Sequence, residues 1–299
     1  MAEGSTPVRG LWVGLETTLL YSTYLLLAKY LLGYFSAPWL LLASGLGIVL
    51  LLPALKRRLA VYRHWGWSHW QLLLVLGGLS GGYNLCFLLS AALLPVFVAT
   101  MFDGIGSIAL LPRVCLLERR RPNALEIWAM GLGIVGAVLV LQVHLHNYSV
   151  LGLLLGLLAL GLDTCSVVLT GQVRNQFLAS DLVLVKQFGK VAMALAVLPL
   201  LPQIPEVGKE PILLLWLLLL VSGALRIVES FVATRATFLL PPLVFKTITL
   251  LCLPLVAVAE SLLFNTMLNP WQWLGVALIV VAGPLAVRSG ERRLRPIGR

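Results

Sequence analysis

Apolar residues in this chain gather into ten long runs, and the polar positions collect between them. Each run is about 18 to 25 residues, the length a helix rising 1.5 Å per residue needs to cross the hydrocarbon core of a bilayer. The pattern predicts helices over roughly 11–32, 38–55, 70–92, 95–117 and 124–142, then over 150–171, 181–201, 211–237, 240–259 and 270–287. The links are short, so the helices are expected to form one all-α bundle without a soluble domain.

The polar positions give the bundle a direction. Lys56, Arg57, Arg58 and Arg63 lie in the second link, Arg119 to Arg121 in the fourth, and Arg288, Arg292, Arg293, Arg295 and Arg299 in the tail. The alternate links are nearly free of positive charge, Lys209 being offset by Glu206 and Glu210. By the positive-inside rule both termini are expected in the cytoplasm of a multi-pass protein of the cell (inner) membrane. Trp12, Trp39, Trp70, Trp128, Trp216, Trp271 and Trp273 fall near predicted helix ends, as an aromatic belt requires.

Composition agrees. A chain of 299 residues that is 60% hydrophobic and 11% charged has too few polar side chains to cover a globular surface. The net charge of +10 does not imply a nucleic-acid partner, because the charges sit in short links and the tail. Cys86, Cys115, Cys165 and Cys252 lie inside apolar runs without metal-like spacing and read as inert thiols. The first apolar run is long enough to span, so a cleaved signal peptide is not expected.

Sliding the chain on itself by 142 residues aligns LLPRVCLLE, ending at Glu118, with CLPLVAVAE, ending at Glu260. The same offset places Pro112 on Pro254, Gly10 on Gly152, Gly14 on Gly156, Gly47 on Gly189, Ser80-Gly81 on Ser222-Gly223 and Ala91 on Ala233. Two units are therefore expected, 1–145 and 146–299, each of five helices. Five is odd, so the second unit enters the membrane from the opposite side. Such inverted repeats underlie alternating access. Glu118 and Glu260 then end helices on opposite faces, each placed to accept backbone N–H bonds from the turn that follows it, and the two prolines read as kinks.

The two copies of a helix–Pro–Glu–short loop–Gly-rich helix unit, with GLGIVGAVLV after the first and GVALIVVAG after the second, resemble the drug/metabolite transporter superfamily, in particular its ten-helix EamA-type members. The resemblance covers nearly the whole chain. It implies a central cavity between the halves, peripheral fifth and tenth helices, and export or exchange of amino acids, other metabolites or drugs.

Charges within the spans point to where chemistry would sit. Lys29, Arg113 and Arg235 are near helix ends and are expected to snorkel. Glu16, Asp103, Asp163, Lys186, Lys190, Arg226, Glu229 and Lys246 lie deeper. An unpaired charge at the bilayer centre costs roughly 2.5–3.5 kcal/mol even on a lenient scale, so these must face protein or water and find partners. Lys186 and Lys190 share one helix face, and Arg226 and Glu229 another. Four acids against four bases balance formally. None is duplicated: Asp163 falls opposite Tyr21, Lys186 opposite Ser44, Arg226 opposite Asn84, Glu229 opposite Phe87 and Lys246 opposite Gly104. Shared residues thus read as scaffold. The unshared charges, with Asn84, read either as cargo and coupling chemistry or as an ion-pair network.

The expected activity is a secondary transporter of a small amino acid-like, zwitterionic or anionic solute or drug, without ATP because no phosphate-binding loop GxxxxGK[ST] occurs, and without a cofactor. Protons are the candidate coupling ion, with Asp103, Asp163, Glu16 and Glu229 as carriers. Its surroundings are the lipid bilayer, and it is a monomer or homodimer. An intramembrane lipid-modifying enzyme and a channel are the alternatives. His144 and His146, with metal-like spacing, and the sequon at Asn147 are weak signals. Gly131, Gly133, Gly136, Gly152 and Gly156 read as small-residue packing faces.

Overall fold

The computed structural model of the protein describes residues 6–46, 66–117, 123–142, 149–173, 176–200, 211–240, 242–264 and 268–294. Glu118, the basic links at 56–63 and 119–121, His144, His146 and the sequon lie outside the described residues. Among the described residues all regular structure is helical: α1 (Thr6–Leu32), α2 (Ala37–Leu46), α3 (Trp67–Leu93), α4 (Val96–Leu117), α5 (Ala124–Gln142), α6 (Val150–Val173), α7 (Ala179–Val197), α8 (Ile212–Leu239), α9 (Pro242–Thr249), α10 (Cys252–Phe264) and α11 (Pro270–Leu294). Among the described residues, six stretches are long and apolar enough to cross a membrane: Arg9–Leu32, Trp67–Leu93, Val150–Val173, Ala179–Leu200, Ile212–Leu239 and Val244–Phe264. Trp12, Trp70, Trp128, Trp216, Trp271 and Trp273 are exposed near helix starts. Trp39 instead turns inward and meets Trp216 edge-on at 5.9 Å between ring centroids.

Contacts between distant segments build the bundle. α1 lies along α8, α3 lies along both α6 and α7, α2 fills against α7 and α8, and α4 meets α6, α10 and α5. The largest seam joins α5 to α11. There Gly136 and Gly275 face one another: a Cβ on Gly136 would stand 2.7 Å from the Gly275 carbonyl, and one on Gly275 would stand 2.6 Å from the Gly136 carbonyl. Only glycine permits this approach, which is how helices gain contact in lipid where no hydrophobic drive exists between them. Gly131, on the same helix, has no neighbour within 4 Å of such a Cβ and faces outward. The expected small-residue face is therefore built around Gly136 and not around Gly131.

The stretch 240–259, expected as one helix, is broken. α9 ends at Thr249, residues 250 and 251 form a turn, and α10 begins at Cys252. Pro254 supplies the reason. It has no N–H to give the carbonyl of Leu250, and its ring crowds that position. The Leu250 carbonyl accepts instead from Leu253 N at 3.1 Å, a tighter three-residue closure. The matching proline, Pro112, lies within α4, which is one continuous helix.

A second irregular point is the sharp corner between α3 and α4 at Leu94-Pro95. Glu260 of α10 accepts the backbone N–H groups of Val96 at 2.9 Å and Phe97 at 2.7 Å, one on each carboxylate oxygen. These are the first two N–H groups of α4, which have no partner inside the helix. The carboxylate also sits at the positive end of the helix dipole. Lys29 of α1 donates to the carbonyls of Ala91 at 2.8 Å and Leu94 at 2.9 Å, where α3 ends. Lys29 thus closes a helix end within the protein rather than snorkelling to the interface. Glu260 is structural as expected, but it serves a helix 163 and 164 residues away rather than its own following turn.

Candidate functional site

α3, α6 and α8 carry polar residues at helical spacing on otherwise apolar surfaces. Ser80, Tyr83 and Asn84 mark α3; Asp163, Ser166 and Thr170 mark α6; Arg226, Glu229, Ser230, Thr234 and Thr237 mark α8. The three stripes turn toward one another and, with residues of α1, α4, α7, α9 and the start of α10, line a cavity of about 110 Å³. It is lined by eight of the nine residues singled out in the sequence: Asp103, Asp163, Lys186, Lys190, Arg226, Glu229, Lys246 and Asn84.

Glu16 is the one that stays outside. It is exposed on the face of α1 shared with Trp12 and Leu19, whereas Thr17 and Tyr21, one and five residues on, turn into the cavity. A helix advances 100° per residue, so neighbours in sequence look in different directions. The formal balance of four acids and four bases therefore does not hold for the cavity. Its lining has three acids, Asp103, Asp163 and Glu229, and four bases, Lys186, Lys190, Arg226 and Lys246.

The pairing is uneven. Lys246 of α9 forms an ion pair and hydrogen bond with the Asp163 carboxylate of α6. Arg226 donates through Nη1 to Glu229 at 2.6 Å, three residues on along α8, and through Nη2 to the side-chain carbonyl of Asn84 at 2.7 Å. The guanidinium carbon also lies 4.9 Å from the ring centroids of both Tyr21 and Tyr24. Those rings are near parallel, with centroids 6.5 Å apart, and supply a cation–π contact on desolvated ground. Among the described residues no cation is bonded to Asp103 of α4. It accepts from the hydroxyl of Tyr21 and, at 3.1 Å, from that of Tyr83, and the two hydroxyls are themselves 2.9 Å apart.

Three donors remain underused. Lys190 is 1% exposed, yet among the described residues its ammonium reaches only the Ser230 hydroxyl, at 3.2 Å. Lys186 lines the cavity one turn away with no carboxylate bonded to it among the described residues. Arg226 Nε is buried with no hydrogen-bond partner among them. Buried donors without acceptors are costly, on the order of 1–3 kcal/mol each and more when charged.

The tyrosines were not among the sequence candidates. A signal for them existed, because Tyr21 occupies the position opposite Asp163 in the duplicated alignment and Tyr83 adjoins Asn84. Tyr24 carried none beyond its spacing one turn from Tyr21.

No family model matches the sequence, and no curated relative does. Among solved structures, one crystal structure aligns with 97% of this chain and 99% of its own length, with a TM-score of 0.66 and 19% identity. At that identity the likeness establishes a shared fold and says nothing about function.

Proposed function

We propose that the protein is a secondary transporter of the EamA type, moving a small solute across the cell (inner) membrane by alternating access between two inverted five-helix repeats, with both termini cytoplasmic. The observation that carries this reading is a charged cavity in an apolar helical bundle, lined by helices from both halves of the chain. Charged groups are retained in such surroundings at substantial cost, and their common use there is to meet a solute or ion.

The pattern of contacts favours the repeat. Gly10 of α1 packs on Leu239 and Leu240 at the end of α8, and its counterpart Gly152 of α6 packs on Leu93 and Leu94 at the end of α3. Asn84 and Arg226, counterparts at the 142-residue offset, are hydrogen-bonded to each other. The turn between α9 and α10 adds a discontinuous helix beside the cavity, the kind of element from which transporter sites are built. Asp103, Asp163 and Glu229 are the acids placed to couple protons.

Counterflow in proteoliposomes tests the proposal. Vesicles preloaded with cargo should take up labelled cargo against its gradient, with trans-stimulation. A channel would show flux without trans-stimulation, and an intramembrane enzyme would convert its substrate without moving it. Either result would replace the transporter reading.

A further inference from the structure

The lining has one more base than acid, and the acids are the engaged partners. Asp163 is held by Lys246 and Glu229 by Arg226, while Asp103 takes two tyrosine hydroxyls. What remains are donors: the ammonium of Lys186, the spare protons of Lys190, and the buried, unpartnered Nε of Arg226. Lys186 and Lys190 are four residues apart on α7, so their like charges oppose one another until something negative comes between them.

We infer that the cavity binds a small singly charged carboxylate, its anionic end between Lys186, Lys190 and Arg226 Nε and its short tail against Val167, Ala233 and Phe245. This rests on reading the cavity as a cargo site and specifies the cargo. Charge decides the class. With every lining group ionised, four bases and three acids leave one positive charge, which a monoanion cancels. A dianion overshoots. A zwitterion brings no net charge and leaves the excess in place, and its ammonium would have to compete with two tyrosine hydroxyls for Asp103. Volume decides the size. An apolar cavity of about 150 Å³ holds a benzene ring, so about 110 Å³ holds roughly six non-hydrogen atoms or fewer. A charged second end would have to lose its water against these apolar side chains.

The purified full-length protein in detergent serves as the binding assay, read by thermal stability, since a ligand that binds only the folded state raises the melting temperature. Propionate and lactate should both stabilise it. Propionamide and lactamide, of the same shape without the charge, should not. Alanine and inorganic phosphate should bind at least about tenfold more weakly, a difference of about 1.4 kcal/mol. Lys186→Gln and Lys190→Gln should each weaken propionate about tenfold or more, whereas Lys186→Arg, which keeps the charge, should retain most of the affinity and shows that the site is still folded. Alanine or phosphate binding as well as propionate would overturn the inference, as would undiminished propionate affinity in both Gln variants. Counterflow separates this from the transporter reading. Alanine counterflow without propionate binding refutes the monoanion and leaves transport standing. Propionate binding without counterflow of propionate or lactate does the reverse.

Discussion

The seam between α5 and α11 and the charged cavity lie in the same bundle and hold helices together by opposite means. At the seam, Gly136 and Gly275 bring two backbones into contact, with Ala137, Val140, Val276 and Ile279 buried around them. Nothing there can rearrange without losing contact. In the cavity, helices α1, α3, α4, α6, α7, α8 and α9 meet through side-chain ends: a guanidinium between two tyrosine rings, an Asp–Lys pair, an aspartate bonded to two phenols. Such contacts can break and re-form with different partners. The difference predicts which substitutions will cost the fold most.

The largest effect is expected at the seam. Gly136→Leu must displace the Gly275 backbone, which cannot give way as a flexible side chain can. Extra methylenes in a packed core already cost about 1–3 kcal/mol, and four carbons driven against a backbone carbonyl exceed that and every change below, so the variant should lose its monodisperse peak on size-exclusion chromatography in detergent. A protein that still elutes like the parent would remove the basis for treating the seam as rigid.

Next come single changes to the buried pairs. Asp163→Asn and Lys246→Met each strand one member of a buried ion pair, at a cost of about 3–5 kcal/mol. The double variant Asp163→Asn with Lys246→Met should recover much of that stability, because removing both charges also removes their desolvation cost. Denaturation of the four proteins in a double-mutant cycle measures the coupling. If the double variant were as unstable as the sum of the singles, Asp163 and Lys246 would not be coupled and the ion pair would contribute nothing of its own.

Glu260→Ala should fall somewhat below this, at about 2–4 kcal/mol, since two N–H groups of α4 lose their acceptor. Glu260→Gln keeps one acceptor oxygen and should lose about half as much. Both can be read from melting temperatures. The smallest effect belongs to Gly131→Ala. A methyl group there meets open space, and alanine is the better helix former by about 1 kcal/mol. The variant should be neutral or slightly stabilised. A loss comparable to that of Gly136→Leu would mean that the face of α5 bearing Gly131 is also packed.

Much of the fold was legible from apolar run length, because a bilayer imposes that length. The stretch predicted at 124–142 is α5 to the residue, and α3 and α8 differ from expectation by a few residues at their ends. The break between α9 and α10 was foreshadowed at Pro254, but hydropathy carries no sign of it, since Leu250 and Leu251 are as apolar as their neighbours. For the site, the buried charges were visible because charge in a membrane span is rare. Glu16 misled for the same reason, since rarity says nothing about which way a side chain points. Tyr21 and Tyr83 carried only the indirect signals of the offset alignment and of Asn84, and Tyr24 was hidden because tyrosine is common in membrane helices; their proximity to Asp103 and Arg226 appears only in the fold. The partners of Glu260 were hidden too, as no local pattern connects residue 260 with Val96 and Phe97.

The interruption at Leu250 and Leu251 divides one membrane crossing into two levers. The upper one carries Lys246 and its bond to Asp163, and the lower one carries Glu260 and its grip on α4. An unbroken helix would transmit any twist at the first to the second. Here the helical ladder stops at Thr249 and starts again at Cys252, so the lysine and the glutamate ride on separate rigid segments.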